Sequence, residues 1–166
     1  MRQLILRFTS TMLLLLAGTA AIAQAAETSD EWKAELAVAR ELVKAERVVV
    51  ITEEMRFTVD ESAAFWPLYE EYHRDMRVVQ DRYVQLVADY VGKYYDYKLT
   101  DADAKQILSD YFVIKEDLRN IQKSYVSKFD KIMSSIKVMR FYQLENKISA
   151  EIDAALAVMI PLADPS

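Results

Sequence analysis

The chain holds one histidine, His73, and no cysteine. Those two facts restrict the chemistry open to it. A serine or cysteine nucleophile needs a base within hydrogen-bond reach, and His73 is the single imidazole available. It follows Tyr72 and sits among Glu70, Arg74 and Arg77, a setting expected to leave its ring solvated or ion-paired on the polar side of a helix. Glu70 and His73 stand at i and i+3, enough for a weak two-point metal contact but short of a zinc site, which needs converging His and Cys ligands. No HExxH, no glycine-rich phosphate loop and no nucleophile elbow occurs. We therefore expect no catalytic residue, no metal centre and no cofactor, and a non-enzymatic protein that acts by binding.

Aromatic residues are the better candidates for contact. Of ten tyrosines, Tyr90, Tyr94, Tyr95 and Tyr97 fall within eight positions. A ring with a polar tip suits adaptable recognition, so this group is a candidate partner-binding surface; the same residues would equally serve as seam fillers near water. Tyr69, Tyr72, Tyr83, Tyr111 and Tyr125 fall at seam spacings and are expected inside. In the segment Arg140–Lys147, Glu145 lies four residues after Phe141 and three before Ile148. A carboxylate so close to a buried stripe requires a cation, and an inter-helix salt bridge that fixes register is expected.

The elements that must carry these residues are helical. Gly92 is the sole glycine beyond residue 25, and prolines are limited to Pro67, Pro161 and Pro165. Sheets need tight turns, which need glycine or proline. A first helix is capped by Ser29 or Asp30 and carries Trp32, Leu36, Ala39 and Val43. Val48 to Ile51 is strand-like by propensity but has no partner strand, so it is read as helix. Thr58 and Glu61 form a capping box that opens a second helix running to about Tyr94. Its seam is Phe65, Tyr69, Tyr72, Met76, Val79, Tyr83, Leu86 and Tyr90, at alternating spacings of four and three. Pro67 should kink it. Thr100 and Asp103 repeat the box for a third helix, with Ile107, Tyr111, Ile114, Leu118, Ile121, Tyr125, Phe129 and Ile132 as its seam. A short link around Tyr95 to Leu99 forces these two into an antiparallel hairpin. Ser134 or Ser135 caps a fourth helix bearing Met139, Tyr142, Ile148, Ile152 and Ala155, which Pro161 ends. The fold class is all-α, four helices in a single domain over 26–166. Two helices this long leave apolar surface for a partner to cover, which points to a homodimer.

Residues 1–25 read as a cleavable signal peptide. Arg2 and Arg7 supply a positive start, Thr11 to Ile22 an apolar stretch too short for comfortable membrane insertion, and Ala23-Gln24-Ala25 a small-x-small cut site. The rest is expected in the periplasm, without stable membrane insertion. Net charge is −5; without the two arginines of the signal, 19 basic residues face 26 acidic ones. That balance argues against non-specific nucleic-acid binding.

The layout resembles the Spy/CpxP family of periplasmic helical proteins, in which an LTxxQ motif recurs at helix starts. The matching stretches are Phe57-Thr58-Val59-Asp60-Glu61, followed by Phe65-Trp66-Pro67-Leu68-Tyr69, and Leu99-Thr100-Asp101-Ala102-Asp103. The fifth position is Glu61 and Asp103 rather than glutamine, and the leading leucine is Phe57 in the first copy. The resemblance implies a cradle-like antiparallel dimer and envelope-stress work, either holding unfolded clients or docking on a sensor. Its His-rich zinc segments are absent, and the acidic balance departs from the basic concave surface of such proteins. The sequence reading is thus a chaperone-like binding protein, or alternatively a structural or regulatory subunit of an envelope complex without client-holding activity. N-terminal sequencing of the exported product should begin at or near Ala26; recovery of the intact chain from membranes would contradict cleavage.

Overall fold

The computed structural model describes residues 31–164, and these form four helices with no strand among them. They are α1 (Glu31–Met55), α2 (Val59–Tyr95), α3 (Asp101–Phe129) and α4 (Ser135–Met159). The signal peptide and the Ser29 and Asp30 caps lie outside the described residues, as do the side chains of Trp32, Leu36, Ala39 and Ala155. The described chain groups into two compact units, residues 31–56 with 141–159 and residues 57–140 with 160–164. None of the described helices is long and apolar enough to cross a membrane.

In the first unit the strand-like run Val48–Ile51 is helical, with Val50, Ile51 and Met55 buried. In the part of α4 that belongs to this unit the buried apolar residues are Phe141, Leu144 and Ile148; in its first turns, which group with the second unit, Val138 is buried and Met139 is 56% exposed. The stripe lies one position earlier than its apolar content suggests because Glu145 belongs to it: 138, 141, 145 and 148 follow the helical repeat. The Glu145 carboxylate accepts two hydrogen bonds from Nη1 of Arg47, at 3.1 and 3.0 Å. The partners lie 98 residues apart, and both side chains are almost wholly buried. This is the expected salt bridge, and Arg47 is its cation. Burial together with the Glu145 charge pushes the neighbouring Tyr142 phenol up to about 12.

In the second unit α2 and α3 run antiparallel. Lys93 pairs with Asp103 beside the turn, Arg82 with Asp117 at 2.6 Å further along, and Lys128 with Glu71 at 2.7 Å beyond that. Between these pairs the seams meet ring to ring: Tyr83 with Tyr111 at 6.2 Å, Tyr72 with Tyr125 at 5.3 Å and Phe65 with Phe129 at 5.5 Å. Phe65, Tyr69, Tyr72, Met76 and Val79 are buried on α2, and Ile114, Tyr125 and Phe129 on α3. Tyr83, Leu86, Tyr90, Ile107, Tyr111, Leu118, Ile121 and Ile132 are half-buried. α2 continues through Pro67, which is exposed, so water can reach the Ala63 carbonyl that the missing N–H leaves open.

The Arg47–Glu145 pair generates a prediction. Glu145→Leu alone leaves a buried guanidinium without its counter-charge and should cost about 3–5 kcal/mol, whereas Arg47→Met combined with Glu145→Leu should recover most of that. Urea denaturation of the two variants decides it: equal midpoints would mean that the pair does not act as a unit.

Candidate functional site

Both capping motifs form as complete boxes. Thr58 Oγ1 accepts from the Glu61 N–H at 3.2 Å, and Glu61 accepts from the Thr58 N–H at 2.8 Å. Thr100 and Asp103 do the same at 3.2 and 3.0 Å. Each carboxylate also holds a lysine: Glu61 meets Lys137 and Asp103 meets Lys93. Lys137 first, then the Thr58 N–H, hold the Glu61 carboxyl below its ordinary value. Lys93 first, then Thr100, bring Asp103 down to about 2. These residues open helices and tie them to neighbours.

The tyrosine group divides. Tyr90 is half-buried, its hydroxyl donating to the Pro161 carbonyl at 2.8 Å, and burial pushes its phenol up. Its ring meets Tyr94 at 6.1 Å, and Tyr94 meets Tyr95 edge-on at 5.3 Å. Tyr95 is 59% exposed and Tyr97 96% exposed. Tyr97 also carries a positive φ of 54°, in the left-handed region that L side chains rarely adopt. The cause is the way α2 ends. The Tyr97 N–H donates to the Tyr94 carbonyl at 3.2 Å and the Lys98 N–H to the Lys93 carbonyl at 3.0 Å. That is a Schellman motif, whose left-handed position is normally glycine. The turn therefore holds a large ring fully in water, on a backbone that glycine would relax.

His73 departs from expectation. It is half-buried, its ring 4.5 Å from Tyr69 and edge-on to Tyr72 at 5.8 Å. Tyr69 and His73 are i, i+4 neighbours, so a bulky seam residue draws the imidazole across its face. Glu70 is exposed, and no group of three or more His, Asp or Glu side chains among the described residues is placed to hold a metal ion.

One constellation escaped the sequence reading. The Tyr125 hydroxyl lies 2.5 Å from Asp75 Oδ2 and 3.0 Å from Glu71 Oε1, while the Lys128 ammonium sits 3.9 Å above the Tyr125 ring. Lys128 and then Tyr125 hold Glu71 below its ordinary value; burial first, then the two carboxylates, push the Tyr125 phenol up. The signal was present as Glu71 and Asp75 at i, i+4 on either side of the seam position Tyr72. No family model, curated protein or solved structure matches the chain.

Asp103 gives a pH prediction. Its folded value, about 2, lies below the ordinary 3.8. A lowered carboxylate stabilises fully above the ordinary value, so its contribution should persist at pH 5 and disappear only as pH falls from about 4 to about 2. A carboxyl NMR titration should place the Asp103 midpoint near 2 and move it upward in Lys93→Met and Thr100→Ala; a midpoint unmoved by either change would remove the assigned cause.

Proposed function

We propose that the chain is a periplasmic, non-enzymatic binding protein of the envelope-stress type, which holds unfolded or partly folded clients on an amphipathic helical surface and pairs as a homodimer. The observation that carries the reading is the aromatic tip at the α2–α3 turn, where Tyr95 and Tyr97 stand 59% and 96% exposed. A monomeric soluble protein gains nothing in its own core from a ring so placed. A non-glycine residue in the left-handed region costs roughly 1 kcal/mol or more, and such strain is characteristic of positions kept for contact. The signal-like start, the paired capping boxes and the resemblance to the Spy/CpxP layout support the envelope setting.

Tyr97→Gly tests the reading, because the two effects it predicts have opposite signs. Glycine relieves the backbone, so stability should rise, by up to about 1 kcal/mol. Removal of the ring should weaken client holding. Tyr95→Ser with Tyr97→Ser should cost on the order of 1–2 kcal/mol of binding, as truncated interface aromatics do. The assay is suppression of aggregation of several unrelated unfolding proteins, with light scattering for the dimer mass. Full suppression by Tyr97→Gly would remove the tip from the binding surface. Absence of suppression by the unaltered protein would favour a dedicated subunit of an envelope complex.

A further inference from the structure

The outer face of α3 carries a patch for which the fold has no use. Leu108, Phe112 and Val113 are 58%, 65% and 47% exposed. Leu108 and Phe112 are one turn apart and present a ridge of the size that one docked helix covers. The patch is bracketed along the same face by Lys105 one turn before it and by Arg119 and Lys123 after it, at positions 105, 108, 112, 116, 119 and 123 of the helical repeat. All three cations are exposed, and no carboxylate among the described residues engages them. Elsewhere in this unit Arg82, Lys93, Lys128 and Lys137 each hold an aspartate or glutamate. Glu116 is the acidic residue among those face positions, and exposed Asp101 lies one turn before Lys105. A face that is apolar in the middle and basic at both ends stands on a chain whose net charge is −5.

We propose that this face docks a partner polypeptide: an amphipathic helical segment with two large apolar side chains one turn apart and carboxylates about one to two turns to either side. Charge complementarity selects the occupant. A helix with basic flanks would meet Lys105 and Arg119 head-on, and like-charge juxtaposition at an interface costs several kcal/mol. Lipid is a poorer fit, because three apolar side chains give little insertion area and Glu116 sits among them. The surface is separate from the tyrosine tip, so it stands or falls independently of the client-holding reading.

The test uses the purified protein and synthetic helical peptides of one length: a leucine and a phenylalanine at i, i+4 with glutamate flanks, the same peptide with lysine flanks, and the glutamate peptide with both apolar residues changed to alanine. Fluorescence anisotropy at low salt should show the first binding at least tenfold more tightly than the other two, with affinity falling as salt rises. Lys105→Glu with Arg119→Glu should weaken the glutamate peptide at least tenfold and improve the lysine peptide; Leu108→Ser with Phe112→Ser should abolish both. These residues are exposed, so helical circular dichroism and melting temperature should stay unchanged and show that the variants fold. Amide NMR shifts should concentrate between residues 105 and 123. Equal binding of the three peptides, indifference to the charge reversal, or binding to phosphatidylglycerol vesicles with none to the glutamate peptide would each overturn the proposal.

Discussion

The row of rings joining α2 to α3 decides how the second unit is built. Two helices of 37 and 29 residues, each polar over most of its circumference, have little reason to stay together except along one stripe. That stripe is filled by Phe65, Tyr69, Tyr72, Tyr125 and Phe129, all essentially without exposure. Each large side chain so buried contributes roughly 1.5–3 kcal/mol, and ring pairs at these separations about 0.5–1.5 more. Using tyrosine where leucine would pack has a consequence. For the Tyr125 hydroxyl the partners are carboxylates. Those carboxylates in turn need a cation, and Lys128 supplies it while covering the same ring. The ring, the phenol, Glu71 with Asp75 and Lys128 form one connected set, so the seam's composition determines which charges line its rim.

A second constraint is the near absence of glycine. Helix ends must expose four N–H and four carbonyl groups, and most chains close the carboxyl end with glycine in the left-handed region. Here Arg56 follows α1 at φ 49° and Tyr97 follows α2 at φ 54°. The amino ends are handled differently, by complete capping boxes at Thr58 and Thr100. Favourable geometry thus opens α2 and α3, while strained residues close α1 and α2. The strain at α2 falls on the residue with the most exposed aromatic ring, which links local backbone energetics to the surface offered at that turn.

The four helices were legible because their signals are local. Threonine followed three residues later by an acid, a seam alternating by four and three, and the lack of turn residues each act within one or two turns of chain. The salt bridge at Glu145 could be anticipated from its place on an apolar stripe, but its partner could not: Arg47 lies 98 residues away, and nothing in its own neighbourhood marks it. Met139 was misplaced for a related reason. Counting apolar residues alone shifts the α4 stripe, since the buried position that sets its phase is occupied by a charged residue. His73 was read as solvated or ion-paired from its charged sequence neighbours, and its ring lies 4.5 Å from that of Tyr69, one turn earlier. Of the tyrosine group, spacing alone could not separate Tyr90, which Pro161 anchors, from Tyr97, which stands in water; that division needs the end of the chain brought back alongside α2.

Net charge misleads in the same way. A surplus of acids suggests a surface that repels acidic partners, but a partner responds to charges within about a Debye length, roughly 8–10 Å, and not to the sum over the chain. Some of the acidity is engaged in ion pairs: Glu61, Glu71, Asp103, Asp117 and Glu145 each hold a cation. Engaged carboxylates project little field beyond their own pair. Lys105, Arg119 and Lys123 form no ion pair among the described residues and stand exposed on a face whose centre is apolar. The acid surplus that weighs against a basic docking surface at the level of composition therefore does not exclude one at the level of a single helix face. What decides it is which carboxylates stand near that face, and on α3 the ion-paired carboxylates, Asp103 and Asp117, engage Lys93 and Arg82 of α2.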